Sequence, residues 1–98
     1  MIEASKESAD DFAVKILTPE SLVWEGRAES LSSINSAGPF DILPQHANMI
    51  TIIEKSPIEI TSTGGNRKFT FEKAIISVKH GDVTIYANIA AGSYTSQK

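Results

Sequence analysis

The chain has 98 residues, a net charge of -3 and no cysteine. That length makes one domain. The absence of cysteine excludes a disulfide framework and a thiolate metal site, and the acidic balance argues against a basic nucleic-acid-binding face. No apolar run is long enough to cross a membrane. Met1 to Asp11 is polar and acidic, without the basic-then-apolar order of a secretion signal. It is expected to be a flexible leader, residues 1–11.

Phe12-Ala13-Val14-Lys15-Ile16-Leu17 alternates, with Phe12, Val14 and Ile16 on one face, as in a half-buried strand. Thr18-Pro19-Glu20-Ser21 reads as a turn, because proline presets the backbone angle at its second position. Leu22 to Glu25 is a second strand ending near Gly26, with Trp24 expected as a core or rim aromatic. Arg27 to Ile34 reads as a third, with Ala28, Ser30, Ser32 and Ile34 on one face, and Asn35 to Gly38 as a loop. Beyond the central stretch, Met49-Ile50-Thr51-Ile52-Ile53 is rich in β-branched residues, which fit a pleated surface better than a helix. Pro57 to Thr61 alternates, Thr63-Gly64-Gly65-Asn66 is a hairpin signal, and Arg67 to Phe71 is its partner strand. Lys73 to Lys79 and Val83 to Ala87 flank a turn at His80-Gly81-Asp82. Residues 12–90 form the expected domain and 91–98 a polar tail. Phe12–Leu17 and Val83–Ala87, nearest the ends, are candidate sheet edges open to another chain. Eight or nine short strands with regular turns and no convincing helix indicate an all-β sandwich or barrel.

No catalytic constellation is visible. His46 and His80 are 34 positions apart, with no carboxylates at metal-ligand spacing. A serine nucleophile lacks a Gly-x-Ser-x-Gly elbow. Gly64-Gly65 does not lead into a helix and so is no phosphate loop. No metal, cofactor or enzymatic activity is expected. Asp10-Asp11 and Glu25…Glu29 read as solvated charge.

The central stretch is Gly38-Pro39-Phe40-Asp41-Ile42-Leu43-Pro44-Gln45-His46-Ala47-Asn48. Its two prolines exclude a helix. It reads as a short extended segment followed by a polar corner, a usual way to present a binding surface on a rigid scaffold. His46 is either a loop histidine satisfied by a backbone carbonyl or a contact residue for a partner.

Ile42-Leu43-Pro44-Gln45-His46-Ala47 resembles the Ile-Leu-Pro-Gly-His-Ala signature of the epsilon subunit of F-type ATP synthases, called delta in mitochondria. Leu17-Thr18-Pro19-Glu20, Leu22-Val23-Trp24-Glu25-Gly26 and Gly81-Asp82-Val83-Thr84-Ile85-Tyr86-Ala87 resemble that family's opening and closing hairpins. The resemblance covers Phe12 to Ala90. It implies a flattened β-sandwich of two mainly antiparallel sheets, about eight to ten strands; most family members continue into a two-helix C-terminal domain, and no C-terminal helical hairpin is expected in this chain. It also implies a non-catalytic rotor subunit that links the gamma subunit to the membrane c-ring. That subunit would be peripheral, on the cytoplasmic face of a bacterial membrane, without membrane insertion, cofactor or bound nucleotide. The c-ring side would be formed by Gly38, Pro39, Phe40, Asp41, Gln45 and His46. Where this chain has Asp41 and Gln45 the family often has glycine, and Asp41 is a side chain that tolerates positive φ. Pro39 replaces an acidic or polar residue. The alternative is a free-standing β-sandwich module for peptide or carbohydrate, with a groove built from Trp24, Phe40, Tyr86 and Tyr94.

Overall fold

A computed structural model of the chain describes residues 10–88. The predicted tail, Tyr94 and most of the predicted leader lie outside them. Nine strands follow one another: β1 (Phe12–Leu17), β2 (Leu22–Ala28), β3 (Ser30–Asn35), β4 (Gly38–Ile42), β5 (Met49–Glu54), β6 (Pro57–Ser62), β7 (Gly65–Thr70), β8 (Lys73–Lys79) and β9 (Asp82–Ala87). They form two sheets. The front sheet has the order β2-β1-β9-β8-β5 and the back sheet the order β4-β3-β6-β7. All neighbours are antiparallel except β1 and β9, which run parallel.

Alternation builds the interior. Val14 and Ile16 of β1, Val83 and Ile85 of β9 and Ala74, Ile76 and Val78 of β8 are buried from the front sheet. Leu31 of β3, Ile42 of β4 and Ile58 and Ile60 of β6 meet them from the back sheet. The register aligns Ile16, Ile85 and Ile76 into one row across three strands. Burying an isoleucine fully contributes about 1.5–3 kcal/mol, so such rows dominate the packing energy. Between the sheets, Asn35 Nδ2 donates to Thr51 Oγ1 at 2.9 Å, and within the back sheet the buried Ser33 Oγ donates to the Pro57 carbonyl at 2.9 Å. Ser33, the buried polar side chain among the described residues, therefore has a partner, which avoids the cost of an unpaired one.

The tight turns follow the sequence. Thr18 N–H donates to the Ser21 carbonyl at 2.9 Å across the Pro19 turn. His80 and Gly81 have φ of 53° and 84°, the pair of positive angles of a type I′ hairpin.

Three expectations are corrected. β2 does not stop near Gly26 but runs to Ala28. The segment from Arg27 to Ile34 is two strands in two sheets, joined at Glu29, whose N–H donates to the Thr61 carbonyl at 2.7 Å. This corner resets the alternation, so Leu31 and Ser33 point inward while Ile34 is 44 % exposed. Finally, β1 and β9 are interior strands, and the edges are β2, β5, β4 and β7. Position near the chain ends misleads here because the first and last strands pair with each other.

Candidate functional site

The central stretch divides. Gly38 opens β4 at φ 122°, an angle that favours glycine, directly after the turn where Asn35 Oδ1 accepts from Ala37 N–H at 2.9 Å. Pro39 and Asp41 lie on the outer face of the back sheet, opposite Ile34 and Ser32. Asp41 Oδ1 accepts from Ser32 Oγ at 2.6 Å. Phe40 turns the other way and packs against the core. Of the two positions where glycine was anticipated, Asp41 sits in regular strand, and Gln45 takes the left-handed conformation at φ 66°.

Gln45 and His46 lie at one end of the sandwich against the β8–β9 turn. A cleft of about 350 Å³ there is lined by Asp11, Gln45, His46, Asn48, His80 and Asp82 among others. Asn48 Oδ1 accepts from His80 N–H at 2.8 Å, fastening the corner to that turn. His46 Nδ1 lies 2.8 Å from the Ala47 carbonyl, a contact in which Nδ1 must be the donor because a carbonyl oxygen only accepts. The two histidines, distant in sequence, thus share a cleft. Among the described residues, no three His, Asp or Glu side chains are arranged to hold a metal ion. Asp11, read as solvated charge, pairs with Arg27 at 2.6 Å.

A second surface was only partly legible. The outer face of the front sheet carries one apolar row, set by register: Leu22 opposite Leu17, Leu17 opposite Tyr86, Tyr86 opposite Ile75, and Ile75 opposite Ile52. Every strand of the sheet contributes one residue. Leu22 is 51 % exposed, Tyr86 42 % and Ile52 53 %. Ile50, in the adjoining row, is 74 % exposed. Leu17 and Ile75, between the exposed members of the row, are half-buried. Alternation within single strands does not reveal this row, because Leu17 and Leu22 join it only through the parallel β1–β9 pair.

Among the described residues, the aromatics expected to build a groove, Trp24, Phe40 and Tyr86, lie in three different places. Trp24 sits at the rim, with its ring centroid 6.1 Å from that of Phe69 and the Arg67 guanidinium 5.5 Å above it. Phe40 faces the interior and Tyr86 the outer front face.

The fold is that of a β-sandwich module whose exposed features are suited to docking. Residues 11–93 match the family described as ATP synthase, Delta/Epsilon chain, beta-sandwich domain, and the chain belongs to that family. It is 36 % identical over 83 residues to the ATP synthase epsilon chain of Clostridium botulinum (strain Eklund 17B / Type B), covering 84 % of this chain and 62 % of that protein. It is 28 % identical over 75 residues to the chloroplastic epsilon chain of Emiliania huxleyi, covering 76 % of this chain and 58 % of that one. The chain thus spans about three fifths of the length of these relatives. Among solved structures, a chain of the Euglena gracilis mitochondrial ATP synthase (OSCP/F1/c-ring) superposes with a TM-score of 0.73 at 11 % identity, covering 88 % of this chain and 56 % of that one. A chain of the Tetrahymena thermophila mitochondrial ATP synthase central stalk/c-ring superposes with a TM-score of 0.66 at 12 % identity, covering 88 % and 86 %. At these identities the superpositions show the shared fold.

Proposed function

We propose that the chain is a non-catalytic central-stalk subunit of an F-type ATP synthase, joining the gamma subunit to the c-ring. The observation that carries this is the in-register apolar row on the front sheet. An apolar row that crosses a whole sheet and stays partly exposed is stabilised by covering it, and a rotor subunit must be held firmly enough to turn with its partner. The gamma subunit covers this face. The corner from Gly38 to His46, with Pro39, Asp41, Gln45 and His46 at the surface, meets the polar loops of the c-ring. Phe40 supports that corner from inside, since it packs against the core.

In this role the chain does no chemistry. It transmits torque through packing, so that ion flow through the membrane sector reaches the catalytic head. The subunit is peripheral, on the cytoplasmic face of the bacterial membrane, and these 98 residues bind no nucleotide. Calorimetric titration with ATP is expected to give no heat at micromolar affinity. The module reading, by contrast, needs a groove of exposed aromatics, and among the described residues Trp24 sits at the rim, Phe40 packs against the core and Tyr86 lies on the outer front face.

The test is a pull-down from solubilised membranes of the source organism through a tag after Lys98, read by mass spectrometry. Recovery of gamma, c, alpha and beta subunits together is the expected result. Recovery of none of them with the domain folded would overturn the reading.

A further inference from the structure

The four sheet edges are not equivalent. β2 carries Glu25 and Arg27, and a register shift at Ile16/Leu17 disturbs its pairing with β1. β4 carries Pro39 and Asp41, and β7 carries Arg67 and Lys68. Charges, prolines and bulges of this kind are how proteins block unwanted strand pairing. β5 has none of them across Met49-Ile50-Thr51-Ile52-Ile53, and Glu54 comes only at its end. Among the described residues it pairs with β8 alone.

The direction of its free hydrogen-bonding groups follows from the register. The two-residue His80-Gly81 turn makes Lys79 and Asp82 a hydrogen-bonded pair. Parity along β8 then points Lys73, Ile75, Ser77 and Lys79 toward β9, and the Asn88 N–H to Lys73 carbonyl bond at 2.7 Å agrees. Ala74, Ile76 and Val78 therefore bond to Ile53, Thr51 and Met49 of β5. The N–H and C=O groups of Ile50 and Ile52 are left facing the open edge.

A cleft of about 390 Å³ lies between Ile34 and Asn35 of the back sheet and Ile52 and Glu54 of β5. The apolar row of the front sheet also ends at Ile52 on this strand. A strand added here would extend the sheet and continue the row with an apolar side chain of its own.

We infer that β5 is a strand-addition site, at which an extended, mainly apolar segment of the gamma subunit pairs with the main chain of Ile50 and Ile52. This deepens the function proposed above and rests on it. Affinity then comes from main-chain hydrogen bonds at the edge, and side-chain selectivity from alternate residues that continue the row.

The test compares Ile50→Pro with Ile50→Ala, in the full chain, for binding to purified gamma subunit. Both remove the Ile50 side chain, but only proline removes the N–H that faces the edge. Proline is tolerated on an edge strand where that N–H points to solvent. Circular dichroism and thermal melting check that both variants fold. If proline unfolds the chain, hydrogen exchange on the wild type decides. The expected result is at least tenfold weaker binding for Ile50→Pro than for Ile50→Ala. The Ile50 and Ile52 amides of the wild type exchange rapidly alone and at least tenfold more slowly with gamma. Equal affinity of two folded variants, or unchanged exchange at these amides in the complex, would overturn strand addition while leaving gamma binding intact. So would protection of the same amides in the free chain, which would mean that β5 is already covered by a second copy or by its own terminus. Failure of the wild type to bind gamma would overturn the functional reading as well.

Discussion

The outer faces of the two sheets are built by the same alternation and carry opposite chemistry. Across the front sheet, register aligns Leu22, Leu17, Tyr86, Ile75 and Ile52. Across the back sheet it aligns Asp41, Ser32, Glu59 and Lys68. The back row is satisfied within itself: Ser32 donates to Asp41 at 2.6 Å, and Lys68 lies 3.7 Å from Glu59. The front row has no comparable means of satisfying itself, because exposed apolar side chains gain only from being covered. A sandwich needs one buried face per sheet. The character of the other face is free to vary, and here one row is polar and the other apolar.

The largest expected effect concerns what the two faces share. Ile85 and Tyr86 are adjacent on β9 but point to opposite sides, one fully buried and the other 42 % exposed. Ile85→Ala should destabilise the fold by about 2–5 kcal/mol through lost burial and the cavity left behind. Chemical denaturation measures this. Tyr86→Glu should change stability by less than about 1 kcal/mol, the scale of a cross-strand pair. It should nevertheless weaken gamma binding about thirtyfold or more, as expected for a charge at the centre of an apolar interface. Glu59→Gln on the back row should change that binding by less than about threefold, since rim and non-interface positions contribute little. Comparable losses from both changes would erase the distinction between the faces.

Gly26→Ala tests the rim that joins the two sheets. A Cβ at Gly26 would lie 2.8 Å from the Trp24 ring, which is itself held between Phe69 and Arg67. Displacing that ring should cost about 1–3 kcal/mol, the usual range for overpacking. A melt recording tryptophan fluorescence follows both the stability and the ring. The smallest effect is expected from Lys68→Ala. Its ion pair with Glu59 is exposed on both sides, so the loss should be within about 1 kcal/mol and should shrink as salt is added.

Most strands were legible because short-range alternation and turn residues fix them. Pro19 and His80-Gly81 marked their turns correctly, and Phe12, Val14 and Ile16 point inward as the pattern requires. Features that depend on lateral pairing were not legible. Ile34 was placed on the face of Ala28, since a chain that changes sheet at Glu29 leaves no break in the sequence pattern. The ends of the chain looked like edges because parallel pairing of β1 with β9 has no local signal. The apolar row depends on the same pairing, so alternation within single strands could not show it. At the corner, glycine was anticipated at two positions, but only Gln45 occupies the backbone region that favours it. Phe40 belongs to the stretch by sequence and to the core by orientation, because neighbours on a strand face opposite ways.

The most direct measurement is a titration of isotope-labelled chain with purified gamma subunit, followed by methyl and amide NMR. The expected result is that the methyl signals of Leu17, Leu22, Ile52 and Ile75 shift or broaden together while the amides of Ser32, Glu59 and Lys68 stay in place. Perturbation of the back-sheet amides with the front-row methyls unmoved would contradict the assignment of the front face as the side that meets gamma.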